Sequence, residues 1–382
     1  MQSAPEPKSA LGRYRLLAPS AALKVSPLAL GTMNFGDAWA PIMGTMDKKT
    51  VFEVLDFYKD QGGNFIDAAN TYQNEQSELW IGEWLASKPG LRDQMVVATK
   101  YGFGYETYKG FDGIIHANTT GNGTKSLNLS LEASLKKLQT HYVDIMFVHW
   151  WDFTTSIPEL MHSLNTVCDQ GKVLYLGISD TPAWVVAKAN EYARGKGLRQ
   201  FVVYEGRWSA ADRDFERDIL SMCAAEGMGM MPWGPLGGGN FKTEEQRAAV
   251  AGQGRNMAPP REKDVQVSAA LEKIAKAKKT ALTSVALAYV LHKAPYVFPI
   301  VGGRKIEHLQ GNIDALSVEL SPEDLAAIEG AVDFDPGFPL NFISPMAKSG
   351  AKGPKDVVFT DMSGKFDYVE GPFPIRPHQA AS

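Results

Sequence analysis

The sequence predicts an α/β fold, a (β/α)8 TIM barrel with an N-terminal hairpin and an irregular C-terminal tail. Three observations support this prediction. Between about residues 27 and 315, short apolar runs alternate with amphipathic stretches, as expected for parallel strands covered by crossover helices. Eight such pairs occur, which is the number that closes this barrel. The 382-residue chain is also long enough to hold the barrel as one domain.

The predicted strands and helices are regularly spaced along the chain. The strands are predicted over residues 27–30, 64–67, 95–100, 143–149, 173–178, 201–204, 229–233 and 297–301. The helices are predicted over residues 48–61, 77–87, 127–139, 157–170, 183–194, 215–226, 284–292 and 306–315. After the seventh strand, residues 234–260 have neither a helical nor a strand period, and loops of that length are usually functional or disordered.

Segments outside the barrel divide the chain into three parts. Residues 1–13 are predicted as a flexible N-terminus, residues 14–334 as the barrel domain and residues 335–382 as the tail. Residues 14–17 and 23–25 flank the segment APSAA and predict a small hairpin that plugs the bottom of the barrel. Ser321 in the SPED motif predicts an N-cap, with Pro322 in the first turn of a short extra helix. The tail is rich in Pro and Gly and is placed to fold over the barrel mouth.

The charge and the cysteine content narrow the class of protein. Lys plus Arg number 39 and Asp plus Glu number 43, and the resulting formal net charge of −4 argues against a nucleic-acid partner. Hydrophobic residues make up 44% of the chain and charged residues 21%, so wholesale disorder is excluded. Cys168 and Cys223 are too far apart for a CxxC zinc or redox site. Because neither a secretory signal nor a long apolar stretch is recognisable, we expect a cytoplasmic protein without a membrane partner.

Four polar residues lie at or just after the ends of the second, third and fourth predicted strands. Asp67 ends the second strand and Tyr72 follows it, while Lys100 ends the third strand and His149 ends the fourth. In such barrels the catalytic groups come from the carboxyl ends of the strands and from the loops after them. We therefore expect these four side chains to converge on one point.

These four residue types suit proton transfer to a carbonyl oxygen. Tyrosine alone is too weak an acid at neutral pH, but a nearby ammonium, here that of Lys100, stabilises its phenolate and lowers its pKa. Asp67 would hold Lys100 in place, and His149 would orient the substrate oxygen through a hydrogen bond. No side chain can deliver a hydride, so the site implies a nicotinamide cofactor.

Several motifs together resemble those of the aldo-keto reductase superfamily. They are LGTMNFG, DAANTYQNEQSELWIG, the strand ends TK and VH, GISD, MPWGPLGGG and GGRKIEHLQGNIDAL, and the resemblance extends over about residues 14–330. The segments YEGRWSAADRDFERDIL and GISDTPAW are similar to the fungal branch of aryl-alcohol dehydrogenases and norsolorinic acid reductase-like enzymes. The resemblance implies a TIM barrel that binds NADP(H) in extended form without a Rossmann domain. It also implies that Asp67, Tyr72, Lys100 and His149 are the catalytic tetrad, with Tyr72 as general acid in reduction and general base in oxidation.

The resemblance further implies a cofactor site that runs across the strand ends. Ser179 and Asp180 would hold the nicotinamide carboxamide, and the ring of Trp233 would stack on the nicotinamide. The full set implied to bind the cofactor is Gly31, Thr32, Met33, Asp67, Ser179, Asp180, Glu205, Trp233, Gly234, Leu236, Gly238, Gly302, Gly303, Arg304, Lys305, His308 and Asn312. Arg304 and Lys305 lie where a glycine turn opens the last barrel helix, which suits a 2′-phosphate and favours NADPH over NADH.

Three positions depart from the family pattern. Glu205 stands where the family more often has Gln, Asp180 where it often has Asn, and Gly311 where a Glu often precedes the adenine-site Asn312. A carboxylate can accept a hydrogen bond from the carboxamide but cannot donate one to its oxygen. Negative charge near the ring would favour the oxidised cofactor, so we predict that Glu205→Gln tightens NADPH binding relative to NADP⁺.

Aromatic residues dominate the loops around the expected reaction centre. The residues predicted to contact the substrate are Trp39, Tyr72, His149, Trp150 and Trp208. An aromatic-rich mouth suits a flat aromatic or polyketide-derived carbonyl better than a sugar.

The expected function is that of an NADP(H)-dependent oxidoreductase. It would reduce an aromatic or polyketide-type aldehyde or ketone to an alcohol, and the reverse, with the physiological direction left open. The family contains monomers and higher oligomers, so either a monomer or a homo-oligomer fits. The alternative is an NADP(H)-binding redox-sensing regulatory subunit with little turnover, similar to potassium-channel β subunits. Metal catalysis is disfavoured because the histidines form no HxH or HExxH pair.

Overall fold

Eight parallel strands form a barrel among the residues that the computed structural model describes, which are 3–249, 259–345, 353–369 and 371–378. The strands are the hairpin pair β1 (Arg15–Ala18) and β2 (Ala21–Val25), followed by β3 (Ala29–Gly31), β4 (Phe65–Asp67), β5 (Val96–Tyr101), β6 (Val143–Val148), β7 (Val173–Ser179), β8 (Phe201–Arg207), β9 (Gly229–Trp233) and β10 (Ile300–Val301). The barrel strands pair in the order β10, β3, β4, β5, β6, β7, β8, β9, and a parallel bridge between Met230 and Val297 joins the two ends. The predicted (β/α)8 barrel is therefore confirmed.

Helices cover the outside of the barrel. In chain order the described helices are α1 (Ala40–Met43), α2 (Lys48–Asp60), α3 (Gln76–Ala86), α4 (Leu91–Gln94), α5 (Thr124–Lys137), α6 (Ile157–Asp169), α7 (Ala183–Lys196), α8 (Ile219–Glu226), α9 (Glu244–Ala249), α10 (Glu262–Lys278), α11 (Leu282–Lys293), α12 (Ile306–Asp314), α13 (Pro322–Glu329) and α14 (Leu340–Ile343). The eight predicted helices correspond to α2, α3, α5, α6, α7, α8, α11 and α12. Helix α10 is absent from the predicted elements, although its Val267, Leu271 and Ile274 pack into the main core.

Alternating side chains place the polar strand ends inside the barrel. Phe65 on β4 and Phe147 on β6 belong to the buried cluster that fills the interior. Because successive residues of a strand point to opposite faces, Asp67 and His149, two residues further along, face the same interior at its carboxyl end. Gly177 on β7 leaves room for the ring of Phe147, since a Cβ at this position would lie 2.4 Å from that ring. An apolar layer therefore closes the barrel beneath its polar mouth.

The N-terminal hairpin covers the opposite end of the barrel. Leu17 and Val25 of β1 and β2 are buried in the same cluster as Phe298, which precedes β10. The backbone approach is close, since a Cβ on Gly229, the first residue of β9, would lie 2.2 Å from the carbonyl oxygen of Leu17. The hairpin and its position at the bottom of the barrel are as predicted.

The segments at the two chain ends contact the barrel. Ser9 Oγ donates to the carbonyl oxygen of Gln61 at 2.7 Å and Leu11 is buried, so part of the segment predicted to be flexible packs against α2. Ser321 Oγ accepts from the backbone N–H of Asp324, and the Asp324 carboxylate accepts from the Ser321 N–H in return. This capping box starts α13, as the SPED motif predicts.

In its described part, the C-terminal tail is irregular apart from α14 and two short 3-10 turns at Pro354–Asp356 and Thr360–Met362. The rings of Phe342 and Phe359 lie 5.3 Å apart, and Arg376 Nη1 is 3.5 Å from the carbonyl oxygen of Leu320. Residues 346–352, 370 and 379–382 of the predicted tail, and residues 250–258 of the predicted loop, lie outside the described residues. A tail folded over the barrel mouth stays a prediction.

Both cysteines are buried and free, Cys168 on α6 and Cys223 on α8. In the part of the chain that the structure describes, no helix combines the length and the apolar character needed to span a membrane.

Candidate active site

Asp67, Tyr72, Lys100 and His149 come together at the carboxyl ends of β4, β5 and β6. Lys100 Nζ donates to Asp67 Oδ1 at 2.5 Å and to the carbonyl oxygen of Ala68 at 3.0 Å. It lies 3.4 Å from Tyr72 Oη. The rings of Tyr72 and His149 meet edge to face, with centroids 6.0 Å apart. The convergence expected from the strand ends is therefore present.

The loop between β4 and α3 holds Tyr72 over this cluster. Three consecutive residues, Gln73, Asn74 and Glu75, have positive φ angles of 51°, 51° and 78°, which turn the chain sharply into α3. The Gln73 side chain fixes the turn by donating from Nε2 to the carbonyl oxygen of Met33 at 2.9 Å and accepting from the backbone N–H of Trp39 at 2.8 Å. The loop after β3 thus supports the loop that carries Tyr72.

Lys100 has a second carboxylate partner that was not predicted for it. Glu205 on β8 lies with Oε2 3.3 Å from Lys100 Nζ. Burial lowers the pKa of Lys100, but the negative charges of Asp67 and Glu205 together raise it above its ordinary value. Burial and the charge of Asp67 raise the pKa of Glu205 well above its ordinary value, although Lys100 opposes them. The site therefore contains one ammonium group facing two carboxyl groups.

The pKa of Tyr72 departs from the expectation. Lys100 lowers it, as predicted, but burial has the larger effect and raises the pKa of Tyr72 above its ordinary value, assisted by the charges of Asp67 and Glu205. The predicted lowering is wrong for this structure, because burial outweighs the field of the ammonium and the two carboxylates offset part of that field. The phenol consequently keeps its proton at neutral pH and is available as an acid.

His149 is held in its neutral form. Burial and the charge of Lys100 lower the pKa of His149 well below its ordinary value. Its backbone N–H donates to the carbonyl oxygen of Tyr101 at 2.9 Å, which continues the β5–β6 ladder by one residue. His149 Nδ1 is buried and has no hydrogen-bond partner among the described residues. A neutral imidazole with a free ring nitrogen can hydrogen-bond a substrate oxygen.

The residues assigned to the nicotinamide end follow β7, β8 and β9 around the mouth. Trp233 Nε1 donates to Asp180 Oδ1 at 3.1 Å, and the Arg207 guanidinium lies 4.9 Å from the centre of the Trp233 ring. Asp180 has a positive φ of 40°, so the chain turns at the end of β7. Ser179 Oγ is buried and has no hydrogen-bond partner among the described residues. Gly234, Leu236 and Gly238 lie in the loop that follows β9.

Some of the buried polar atoms without hydrogen bonds lie at this mouth. Besides His149 Nδ1 and Ser179 Oγ, they include Trp150 Nε1. Buried polar groups are nearly always satisfied in folded proteins, so such a group of unsatisfied atoms indicates a site for a polar ligand. Both hydrogen-bond donors and hydrogen-bond acceptors are present, which suits the NH₂ group and the oxygen of a nicotinamide carboxamide.

The residues assigned to the adenosine end lie between β10 and α12. The turn of Gly302, Gly303 and Arg304 leads to Lys305, the N-cap residue of α12. Asn34 Nδ2 donates to the carbonyl oxygen of Gly303 at 3.1 Å, so the loop after β3 supports this turn as well. The remaining assigned residues on α12 and after β3 are His308, Asn312, Gly31, Thr32 and Met33.

Arg304 and Thr32 have contacts that fix their segments. The Arg304 guanidinium packs against Gly44, where an added Cβ would lie 1.8 Å from Nη1. Thr32 Oγ1 donates to the backbone carbonyl oxygen of Asp67 at 2.9 Å. The segment after β3 therefore lies between the adenosine-end turn and the tetrad.

Aromatic side chains surround Tyr72 and His149. The Trp39 ring meets Tyr72 edge to face at 6.3 Å, with its Nε1 bonded to Asn74 Oδ1 at 2.9 Å. The Phe103 ring lies 4.7 Å from His149 and 5.9 Å from Trp150. These contacts place three aromatic rings beside the tetrad.

Trp208 does not join this group. Its side chain is fully buried, stacks on Phe215 at 4.9 Å and donates from Nε1 to Glu216 Oε1 at 3.1 Å. Glu216 is itself paired with Arg213 and Lys293, and these cations hold its pKa down to about 2 against the effect of burial. The assignment of Trp208 to the substrate pocket is wrong in this structure, because a buried ionic network holds the indole in the core.

The barrel thus combines a Tyr–Lys–Asp–His cluster at its strand ends with a polar mouth. The model of the aldo/keto reductase family matches residues 27–333, and the chain belongs to this family. It is therefore an oxidoreductase, of a family that generally uses NAD(P)H, and small carbonyl compounds fit as its substrates.

Curated relatives cover nearly the whole chain. The chain is 55% identical over 371 residues to norsolorinic acid reductase B of Dothistroma septosporum, covering 95% of this chain and 94% of the relative. It is 54% identical over 375 residues to an aryl-alcohol dehydrogenase of Pestalotiopsis microspora, covering 98% and 95%. A putative aryl-alcohol dehydrogenase of Saccharomyces cerevisiae is 50% identical over 346 residues, covering 89% and 92%.

Proposed function

We propose that this protein is an NADP(H)-dependent reductase that converts an aromatic or polyketide-type aldehyde or ketone to its alcohol, and catalyses the reverse reaction. The observation that carries the proposal is the contact of Lys100 with both Asp67 and Tyr72, in a site where the Tyr72 phenol keeps its proton. That arrangement supplies a proton donor and a fixed positive charge beside it.

The proposed mechanism assigns one task to each tetrad residue. When bound, the reduced nicotinamide cofactor supplies the hydride that side chains cannot supply. A ring N–H of the neutral His149 imidazole donates a hydrogen bond to the carbonyl oxygen and orients it. Tyr72 Oη gives its proton to that oxygen, and Lys100 stabilises the phenolate that remains. Asp67 keeps Lys100 charged and in position.

The cofactor preference rests on the turn after β10. Arg304 and Lys305 are cations at the start of α12, and backbone N–H groups at a helix N-terminus add to their attraction for an anion. A 2′-phosphate is the group that distinguishes NADPH from NADH. We therefore propose NADPH as the preferred reductant.

The substrate class rests on the aromatic surroundings and on the relatives. Trp39, Phe103 and Trp150 lie around the Tyr72 and His149 rings and suit a flat aromatic substrate. Relatives at about half identity are named as norsolorinic acid reductases and aryl-alcohol dehydrogenases, and the second name indicates aromatic alcohols.

The test is the loss of NADPH absorbance with an aromatic aldehyde such as veratraldehyde, for the wild type and Tyr72→Phe. We expect turnover by the wild type and a loss of about 10²- to 10⁴-fold in kcat for the variant. NADPH affinity, measured by fluorescence, should be similar for both. Binding of NADPH without turnover of aromatic aldehydes or polyketide ketones would contradict the proposal and favour a redox-sensing subunit.

A further inference from the structure

Three titratable side chains meet inside the barrel beneath its mouth. Lys100 Nζ lies between Asp67 on β4 and Glu205 on β8, and the side chains of the three are 0%, 3% and 4% exposed. Asp67 receives a direct hydrogen bond from Lys100 at 2.5 Å. Glu205 Oε2 is buried and forms a longer contact with Lys100 Nζ, at 3.3 Å. The ammonium group of Lys100 is therefore closer to Asp67 than to Glu205.

One positive charge cannot neutralise two buried carboxylates. Ionising both would leave a net negative charge in the interior, which is costly unless it is paired. The other groups facing Glu205 do not help, because Asp180 adds a further negative charge and the Tyr72 phenol is neutral. Burial raises the pKa of Asp67 as well, but Lys100 opposes it through the shorter contact, so we infer that Asp67 is the ionised partner. Glu205, with the longer contact to Lys100, is the partner that we infer to keep its proton, and burial and the charge of Asp67 raise its pKa in the same direction.

We propose that Glu205 stores the proton that is consumed in carbonyl reduction and passes it through Lys100 to Tyr72. This inference rests on the proposed function. The contacts for the two transfers are present, since Glu205 Oε2 lies 3.3 Å from Lys100 Nζ and Lys100 Nζ lies 3.4 Å from Tyr72 Oη.

The site supplies the proton for one turnover, and Glu205 regains a proton from solvent when the oxidised cofactor leaves. The O–H bond of Tyr72 breaks as a new O–H bond forms on the substrate oxygen, while the carbonyl carbon receives the hydride. An N–H proton of Lys100 then moves to the phenolate oxygen, and the carboxyl proton of Glu205 moves to the Lys100 amine. Tyr72 and Lys100 regain their starting forms, and Glu205 becomes a carboxylate. In alcohol oxidation the same steps run backwards.

The charge of the cofactor makes this storage directional. An oxidised nicotinamide ring has one more positive charge than the reduced ring, so it favours the ionised form of Glu205. Binding of NADP⁺ to the free enzyme should therefore release the proton of Glu205, whereas binding of NADPH should not. Glu205→Gln removes this response, and for the same reason it should tighten NADPH relative to NADP⁺.

The first experiment counts released protons with a pH-indicator dye in weakly buffered solution near neutral pH. For the wild type we expect NADP⁺ to release about one proton more per bound molecule than NADPH. Subtracting the two cofactors cancels protons from the 2′-phosphate, which both contain. Equal release by NADP⁺ and NADPH in the wild type, or an unchanged difference in Glu205→Gln, would overturn the proposal.

The second experiment uses infrared spectroscopy of the cofactor-free protein and needs no turnover. We expect a carboxylic-acid C=O band that disappears in Glu205→Gln and remains in Glu83→Gln, whose target is a partly exposed glutamate paired with Lys48. If the variant does not fold, the wild type with ¹³C-labelled glutamate carboxyl groups provides the test, because the label should shift the band. A wild type without this band, or a band kept in Glu205→Gln, would contradict the stored proton. Neither the proton count nor the infrared spectrum depends on catalysis. A protein that shows both effects but does not turn over a carbonyl substrate would contradict the proposed function and not the stored proton.

Discussion

Lys100 Nζ lies 2.5 Å from Asp67 Oδ1, and the two side chains are 0% and 3% exposed. A buried pair of this kind contributes little net stability over two apolar side chains, but removing one member leaves an uncompensated charge. We expect Lys100→Met to lower the free energy of unfolding at neutral pH by about 3–5 kcal/mol, measured by urea denaturation.

The matched control for this prediction removes both charges. The double variant Asp67→Asn with Lys100→Met should regain a large part of the lost stability, because no ionised carboxylate is then left alone. Equal losses in the single and the double variant would mean that packing, not charge, governs stability at this position.

His149 should make stability depend on pH. Its folded-state pKa is far below its ordinary value, so below about pH 6.5 the unfolded chain binds a proton that the folded protein does not. Stability from this group is present above pH 6.5 and is lost as the pH falls, by up to about 1.4 kcal/mol per pH unit. We expect His149→Gln to show a shallower loss between pH 6.5 and 5 in urea titrations.

The comparison of the two proteins isolates His149 from the other titrating groups. The pKa values of His292 and His308 are lowered too, and the raised pKa of Glu205 acts in the opposite direction in both proteins. A constant difference in unfolding free energy across this pH range would show that His149 titrates normally.

Lys305 should select for the 2′-phosphate. Lys305 is the N-cap residue of α12. The neighbouring cation, Arg304, packs on Gly44 instead, so Lys305 is the residue whose substitution should not disturb that packing. We expect Lys305→Gln to weaken NADPH binding by about 10- to 100-fold, the range for one hydrogen bond to a charged group, and to leave NADH binding nearly unchanged. The exposed Lys125 on α5 provides the control variant Lys125→Gln. Equal weakening of NADPH and NADH would place the effect elsewhere than on the phosphate.

Gly82 should be intolerant of substitution because α3 passes close to the end of α5. A Cβ at Gly82 would lie 2.0 Å from the carbonyl oxygen of Lys137. We expect Gly82→Ala to lower the free energy of unfolding by about 1–3 kcal/mol, measured by chemical denaturation. Gly195 on α7 has open space around it, so Gly195→Ala should stabilise the protein by about 0.5–1 kcal/mol. Similar effects of the two substitutions would rule out the helix contact as the cause.

The alternation of strand residues made part of the site predictable. Asp67, Lys100 and His149 end apolar runs, and the parity that turns Phe65 and Phe147 inward also turns the strand ends inward. The position of Tyr72 over Lys100 follows from a loop with three positive φ angles, which no hydrophobic period reveals.

The contact of Glu205 with Lys100 could not be predicted from spacing. The two residues lie on β8 and β5, which are separated by β6 and β7, and they meet only because the barrel is closed and narrow. Trp208 was misassigned for a related reason: its partner Glu216 lies in a short 3-10 turn, and a buried ionic network has no local sequence signature. Helix α10 was not among the predicted barrel elements, because the barrel repeat leads one to expect a single helix between β9 and β10.

The burial of the two cysteines bears on the chemical durability of the protein. Burial raises the pKa of Cys168 to about 11 and raises that of Cys223 as well. Only a thiolate reacts readily with an electrophile, and both sulfurs stay protonated and enclosed. Aldehydes and unsaturated ketones form adducts with exposed thiols. Carbonyl compounds of the proposed class should therefore not inactivate the protein through covalent modification of its cysteines.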